Sequence, residues 1–239
     1  MNVMLIFLAA IAAIIFWWLS GQRLTSKPWL ETGSVQLPVH NGAERQRLPA
    51  PAVKIGLFVF LGVVGAVFSL AVSAYFMRAA SADWWATPVP RLLWVNTAAL
   101  ALSSAALQWA KREAQHDRME SLRPALVAGL ALAIFFLVGQ IQAWRELTAA
   151  GYVLADNPSN SFFYMLTGLH GLHILGGLAV LAHTTVRAFS TDVAPERLRL
   201  SVDLSAIYSH FMLAVWLLLF ALFAGWANDF VDLCRTLLS

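Results

Sequence analysis

The sequence predicts an all-α fold: a polytopic transmembrane bundle of six helices, one N-terminal helix followed by a set of five. Three observations predict it. Hydrophobic residues fill 59% of the 239 positions and charged residues only 12%, about half the ~25% usual in soluble domains. Such a chain cannot cover a globule with polar surface, so apolar surface must face lipid. Six charge-free runs, 3–20, 55–77, 92–110, 124–144, 161–186 and 204–227, are each suited to crossing hydrocarbon about 30 Å thick, which takes roughly 20 residues. Lys and Arg also alternate from loop to loop in step with those runs.

The first run, 3–20, reads as a retained helix. A cleaved signal needs a positive start and small residues at its end. Here only Met1 and Asn2 precede the run, and Trp17 and Trp18 occupy its end. The segment 21–53 is polar and carries Pro28, Pro38, Pro49 and Pro51, so it reads as a cytoplasmic loop. The remainder, 54–239, reads as one five-helix unit. All 29 Lys, Arg, Asp and Glu residues lie outside the runs. Pro124 is expected to open the fourth run at the first helical position, where proline is tolerated.

Charge sets the expected orientation. Arg23, Lys27, Arg45, Arg47 and Lys54, then Lys111, Arg112, Arg118 and Arg123, then Arg187, Arg197 and Arg199 fall on one side. Only Arg78, Arg91, Arg145 and Arg235 fall on the other. The basic-rich side is expected to be cytoplasmic, which places both termini in the periplasm. The net charge of +3 is thereby explained by topology, and no nucleic-acid partner is implied. The lone Cys234 can form neither an intrachain disulfide nor a multi-thiolate metal site.

No run contains an acidic residue. Carriers of ions and protons generally need carboxylates inside the membrane, so this chain is not expected to move ions alone. Four histidines do lie in runs: His170, His173, His183 and His210. His170 and His173 are about 60° apart on a helix, with Gly177 on the same arc. Tyr164, Thr167, Gly168, Gly171 and Leu175 are expected on the opposite face. Small residues on both faces permit close helix approach. Three uses of the histidines stay open: haem or metal ligation with His210 as second ligand, hydrogen bonds between helices, and contact with lipid headgroups or a partner. Asn96, Gln108, Gln140 and Gln142 read as interhelical hydrogen-bonding groups. Phosphate-loop, HExxH and Ser/His/Asp patterns are missing from the sequence.

The segment Phe162-Phe163-Tyr164-Met165-Leu166-Thr167-Gly168-Leu169-His170-Gly171-Leu172-His173-Ile174-Leu175-Gly176-Gly177 resembles the signature of subunit III of the haem–copper terminal oxidases. Other stretches resemble the same family in order: Lys54, Gly56, Phe60, Ala74-Tyr75 and Arg78; Pro90 with Leu93-Trp94-Val95-Asn96-Thr97 and Ser103-Ser104; Gln140, Trp144 and Asn157-Pro158; Tyr208, His210-Phe211 and Trp216. The resemblance covers roughly residues 54–227. Val64 stands where the family has a glutamate, Ser209 where it has a tryptophan, and one helix precedes the five where many members have two.

The resemblance implies a non-catalytic subunit that packs on subunit I, accompanies subunit II, binds phospholipid and supports proton uptake and durability in turnover. Haem and copper would belong to the partner subunits, with no cofactor in this chain. It implies a bacterial inner membrane and oxygen reduction by the complex. A subunit III-like companion of a nitric oxide reductase or quinol oxidase is the alternative within the family. An independent membrane haem-binding protein is the alternative outside it. Tyr164, Thr167, Gly168, His170, Gly171, His173, Gly177 and His210 are the expected signature and helix-packing residues. Trp94, Asn96, His183, Arg187 and Tyr208 are the expected lipid or partner contacts. Leucine at position 170 or 171 is expected to weaken assembly, at Gly171 by forcing helices apart.

Overall fold

The structure is a computed structural model that describes residues 50–79, 81, 83–85, 87–190 and 195–225. The helix expected at 1–20, nearly all of the loop 21–53, and Cys234 lie outside these residues. The described chain forms five α-helices: α1 (Ala50–Ala79), α2 (Leu92–Gln115), α3 (Met119–Ala149), α4 (Pro158–Phe189) and α5 (Pro195–Phe223). Four segments are long and apolar enough to cross a membrane: Ala52–Ala79 in α1, and the whole of α3, α4 and α5. The fold is an all-α membrane bundle.

Contacts of α2 with α3, α3 with α4, α4 with α5, and α5 back to α2 close a ring of four helices. Helix α1 lies against α4 and α5 through lesser contacts. The stripe Leu61, Val64, Phe68, Val72 and Tyr75 is buried, with spacings of three and four that mark one helix face. Val59, Val63, Leu70 and Met77 are exposed and equally apolar. A helix apolar all round is suited to lipid on one side and protein on the other.

Helix α2 falls short of the apolarity of the others for a structural reason. Its polar residues are turned inward: Asn96, Ser103 and Ser104 are buried, while Thr97 and Gln108 bond to α5. Trp94, Val95, Leu102 and Trp109 belong to its exposed surface. An average over the whole helix mixes these two faces.

The helices outrun the charge-free runs. Helix α5 starts at Pro195, nine residues before the run at 204, with Glu196 in its first turn. The hydrocarbon excludes charges but does not end a helix, whose own hydrogen bonds continue into the aqueous layer. Pro124 is corrected accordingly. It lies inside α3, which begins at Met119, rather than at its first position.

The α2–α3 link is short. Asp117 adopts φ 59°, a left-handed conformation that Asp tolerates better than most residues. Asp117 also pairs with Arg199 on α5. At this same end Lys54 of α1 and Lys111 of α2 both pair with Asp203 of α5, at 2.6 and 2.7 Å. Arg123 donates to the Ala188 carbonyl at 3.0 Å, tying α3 to the end of α4.

The other end is closed by polar loop contacts. Asn157 caps α4, accepting from the Ser159 N–H at 3.1 Å with Pro158 following it. Its amide donates to the Trp85 carbonyl at 2.5 Å. Thr87 donates to Asn160 at 2.8 Å, and Arg78 pairs with Asp83 at 2.5 Å. That guanidinium holds the Asp83 carboxyl below the usual carboxylate range.

Two substitutions test the α2–α3 turn. Asp117→Val and Asp117→Gly both lose the Arg199 pair, but only valine is strained at positive φ. Unfolding in detergent is expected to show valine less stable than glycine by about 1–2 kcal/mol. Equal stability would contradict the left-handed turn.

Candidate functional site

Any chemistry of the bundle interior must lie where polar groups meet, and they meet along α4. His170 is fully buried. Its Nε2 lies 3.1 Å from the Met212 carbonyl of α5. A carbonyl only accepts, so Nε2–H is the donor. Aromatic rings from three other helices surround the imidazole: Trp216 at 5.1 Å, Phe136 at 5.7 Å and Phe68 at 6.3 Å between centroids. Four helices thus meet at this one side chain.

One turn away, the Thr167 hydroxyl accepts from Trp144 Nε1 of α3 at 3.1 Å and donates to the Phe163 carbonyl at 2.7 Å. A Cβ added at Gly168 would sit 3.5 Å from the same indole, an ordinary van der Waals contact. Tyr164 donates to the Tyr152 carbonyl at 2.9 Å, holding the α3–α4 loop. These residues are directed at α3, while His170 and Gly177 are directed at α5. Thr167 and His170, about 60° apart on α4, are both fully buried. Leu175, expected on the Thr/Gly face, is 53% exposed.

His173 bonds its own helix at the Leu169 carbonyl, 2.8 Å away, and lies 5.6 Å from the Phe68 ring. The Tyr208 hydroxyl donates to the His173 carbonyl at 2.7 Å. Gly177 makes room for the Tyr208 ring of α5, which a Cβ there would overlap. His210 is engaged elsewhere: Nδ1 by Ser104 and Nε2 by Gln108, the latter at 2.9 Å, both on α2. It is two residues from Met212, about 200° around α5. The structure therefore does not bring His210 together with His170 as a ligand pair. Among the described residues no group of three or more His, Cys, Asp or Glu side chains could hold a metal.

Two expectations need correction. A Cβ at Gly171 would meet only the Leu137 side chain, at 3.9 Å. Gly171 is not a close crossing, because the tight glycines include Gly139, against the Asn96 carboxamide, and Gly177. Asn96 is not a lipid or partner contact, being fully buried under Gly139. Of the other expected contacts, Trp94 is 54% exposed and stacks edge-on against Phe220 at 4.7 Å. His183 is exposed, and Arg187 and Tyr208 are half-buried.

Some cross-links carry no signal of their role in the sequence. The Trp216 indole, fully buried, donates to Thr97 at 2.9 Å and joins α5 to α2. Ser103 donates to the Gly129 carbonyl at 2.8 Å. The carboxamides of Asn96 and Gln140 are buried without a hydrogen-bond partner.

Comparison with known proteins decides the lineage of this arrangement. Residues 52–228 match the family described as "Cytochrome c oxidase subunit III". The chain belongs to that family. It is 30% identical over 173 residues to the "Probable cytochrome c oxidase subunit 3" of Mycobacterium tuberculosis (strain ATCC 25618 / H37Rv), covering 70% of this chain and 85% of that protein. It is 29% identical over 174 residues to the protein of the same description from Nocardia farcinica (strain IFM 10152), with 71% and 85% covered. Against "Cytochrome c oxidase subunit 3" of Oryctolagus cuniculus it is 27% identical over 134 residues, 56% of this chain and 50% of that one. The region matched by the subunit III family spans the described helices from Ala52 in α1 to the end of α5, so α4 with its cross-links is part of the family portion.

The glycine corrections are directly testable. Gly139→Ala is expected to cost about 1–3 kcal/mol by overpacking against Asn96. Gly171→Ala is expected to be neutral or stabilising by up to about 1 kcal/mol. Melting of the purified variants in detergent checks both, and a reversed order would contradict the packing.

Proposed function

We propose that this chain is the non-catalytic subunit III of a bacterial respiratory haem–copper oxidase, packed on subunit I in the inner membrane beside subunit II. Membership of the subunit III family over residues 52–228 carries this reading. The bundle interior agrees with it, since two polar groups of α4 join neighbouring helices: His170 Nε2 bonds the Met212 carbonyl and Thr167 bonds Trp144. Oxygen reduction takes place on haem and copper in the partners, and this chain supports proton uptake and durability in turnover.

The remaining topology is part of the proposal. The described helices from Lys54 onward form the subunit III-like unit. Helix α2 spans the membrane with its polar face inward. The end carrying Lys54, Lys111 and Arg199 is cytoplasmic, and both termini are periplasmic. Trp94, His183, Arg187 and Tyr208 contact lipid or the partner. Tyr164, Thr167, Gly168, His170, His173, Gly177 and His210 pack the helices.

Purification in mild detergent tests the reading. Co-elution with a haem-containing subunit is expected, and the haem spectrum of that complex separates an oxidase from a nitric oxide reductase. His170→Leu removes one interhelical hydrogen bond, worth about 0.6–2 kcal/mol in a membrane. The variant is expected to lower the amount of assembled complex while turnover per assembled complex is kept. A stable haem-free monomer, or full assembly with lost turnover, would contradict the proposal.

A further inference from the structure

A cavity of about 30 Å³ lies where the four helices of the ring face one another. Its lining includes Leu100 and Ser103 of α2, Ala133 of α3, Ile174 of α4, and Ser205 and Ser209 of α5. Ser103 and Ser205 belong to the charge-free runs 92–110 and 204–227, so the cavity sits at the level of hydrocarbon. At that depth a polar group must be satisfied from inside the bundle.

Ser205 is not satisfied by the protein. It is 8% exposed, and its hydroxyl has no hydrogen-bond partner. A hydroxyl in mid-helix commonly bonds the carbonyl four residues back, as those of Thr184, Thr185 and Ser201 do. The Ser205 hydroxyl makes no such bond. Ser103, on the facing helix, donates to the Gly129 carbonyl at 2.8 Å, which leaves its oxygen able to accept. A donor with no partner and an acceptor with spare capacity therefore share one small space, walled by Leu100, Ala133 and Ile174.

About 10–15 Å³ of such space suffices for one water molecule, so about two are admitted. An apolar molecule would leave the Ser205 hydroxyl unsatisfied, and a larger polar one would not fit. We propose that this cavity holds bound water, which accepts from the Ser205 hydroxyl and donates to Ser103. The water joins α5 to α2 at a second level of the seam that Trp216 and Thr97 join directly. This inference rests on the interior of the ring alone and stands apart from the oxidase assignment.

The test is radiolytic footprinting of the full chain, purified in mild detergent with whatever subunits it retains. Short X-ray pulses split bound water where it sits, and the hydroxyl radicals oxidise the nearest side chains. Leu100 and Ile174 are buried beside the cavity, whereas Leu93, equally buried on α2, is no part of its lining. Oxidation, read by mass spectrometry of the peptides, is expected to run severalfold faster at Leu100 and Ile174 than at Leu93. Ser205→Ala keeps the space and removes the donor, and is expected to slow oxidation at both residues by at least about twofold. Ser205→Val also fills the space and is expected to bring both down to the rate of Leu93. Equal rates at the three residues in the unaltered protein, or rates at Leu100 and Ile174 that Ser205→Ala leaves unchanged, would overturn the proposal.

Discussion

Inside a bilayer, leucine gains little by leaving lipid for protein, so helices are held by close approach and by hydrogen bonds. This bundle depends on a small number of such bonds, each carried by a side chain that reaches the next helix. Trp144 reaches Thr167, joining α3 to α4. His170 reaches the Met212 carbonyl, and Tyr208 the His173 carbonyl, joining α4 to α5. Trp216 reaches Thr97, joining α5 to α2. Ser103 reaches the Gly129 carbonyl, joining α2 to α3. Every seam of the four-helix ring carries such a contact. Helix α1 is joined inside the membrane through ring contacts such as Phe68 with His173, and by Lys54 at its end.

The same constraint shapes what the interior can do. The buried imidazole of His170 donates through Nε2 to a carbonyl and touches Phe68, Phe136 and Trp216, while its Nδ1 has no hydrogen-bond partner. The second histidine that a haem would need is turned to α2 and held there by Ser104 and Gln108. Ion pairs gather at the two ends, Lys54–Asp203–Lys111 at one and Arg78–Asp83 at the other. Such a molecule is a packed wall with a polar rim, which suits a member of the subunit III family.

Much of this is legible in the sequence because hydrocarbon imposes a strict rule on composition. The charge-free runs locate the five described helices, and the stretch from Tyr164 to Gly177 marks the helix where the cross-links concentrate. Boundaries are less legible, since the segment from Pro195 to Asp203 is helical yet charged, and nothing in apolarity reports that. Gly171 reads as a tight crossing because it lies within the signature, whereas Gly139 is the glycine beneath Asn96. Which glycine meets a neighbour depends on the register of two helices, and no single-helix pattern contains that register. The meeting of Lys54, Lys111 and Asp203 is hidden for the same reason: they lie far apart in the chain and are joined only by the packing of α1, α2 and α5.

The most direct measurement is a double-mutant cycle between Trp216 and Thr97, using Trp216→Phe and Thr97→Val, with unfolding free energies measured in detergent. Hydrogen bonds of this kind average about 0.6 kcal/mol in membranes and reach about 1.7. A coupling of about 0.5 kcal/mol or more is expected if seams between helices are held by these side chains. Strict additivity of the two substitutions would show that the α2–α5 seam is held by something else.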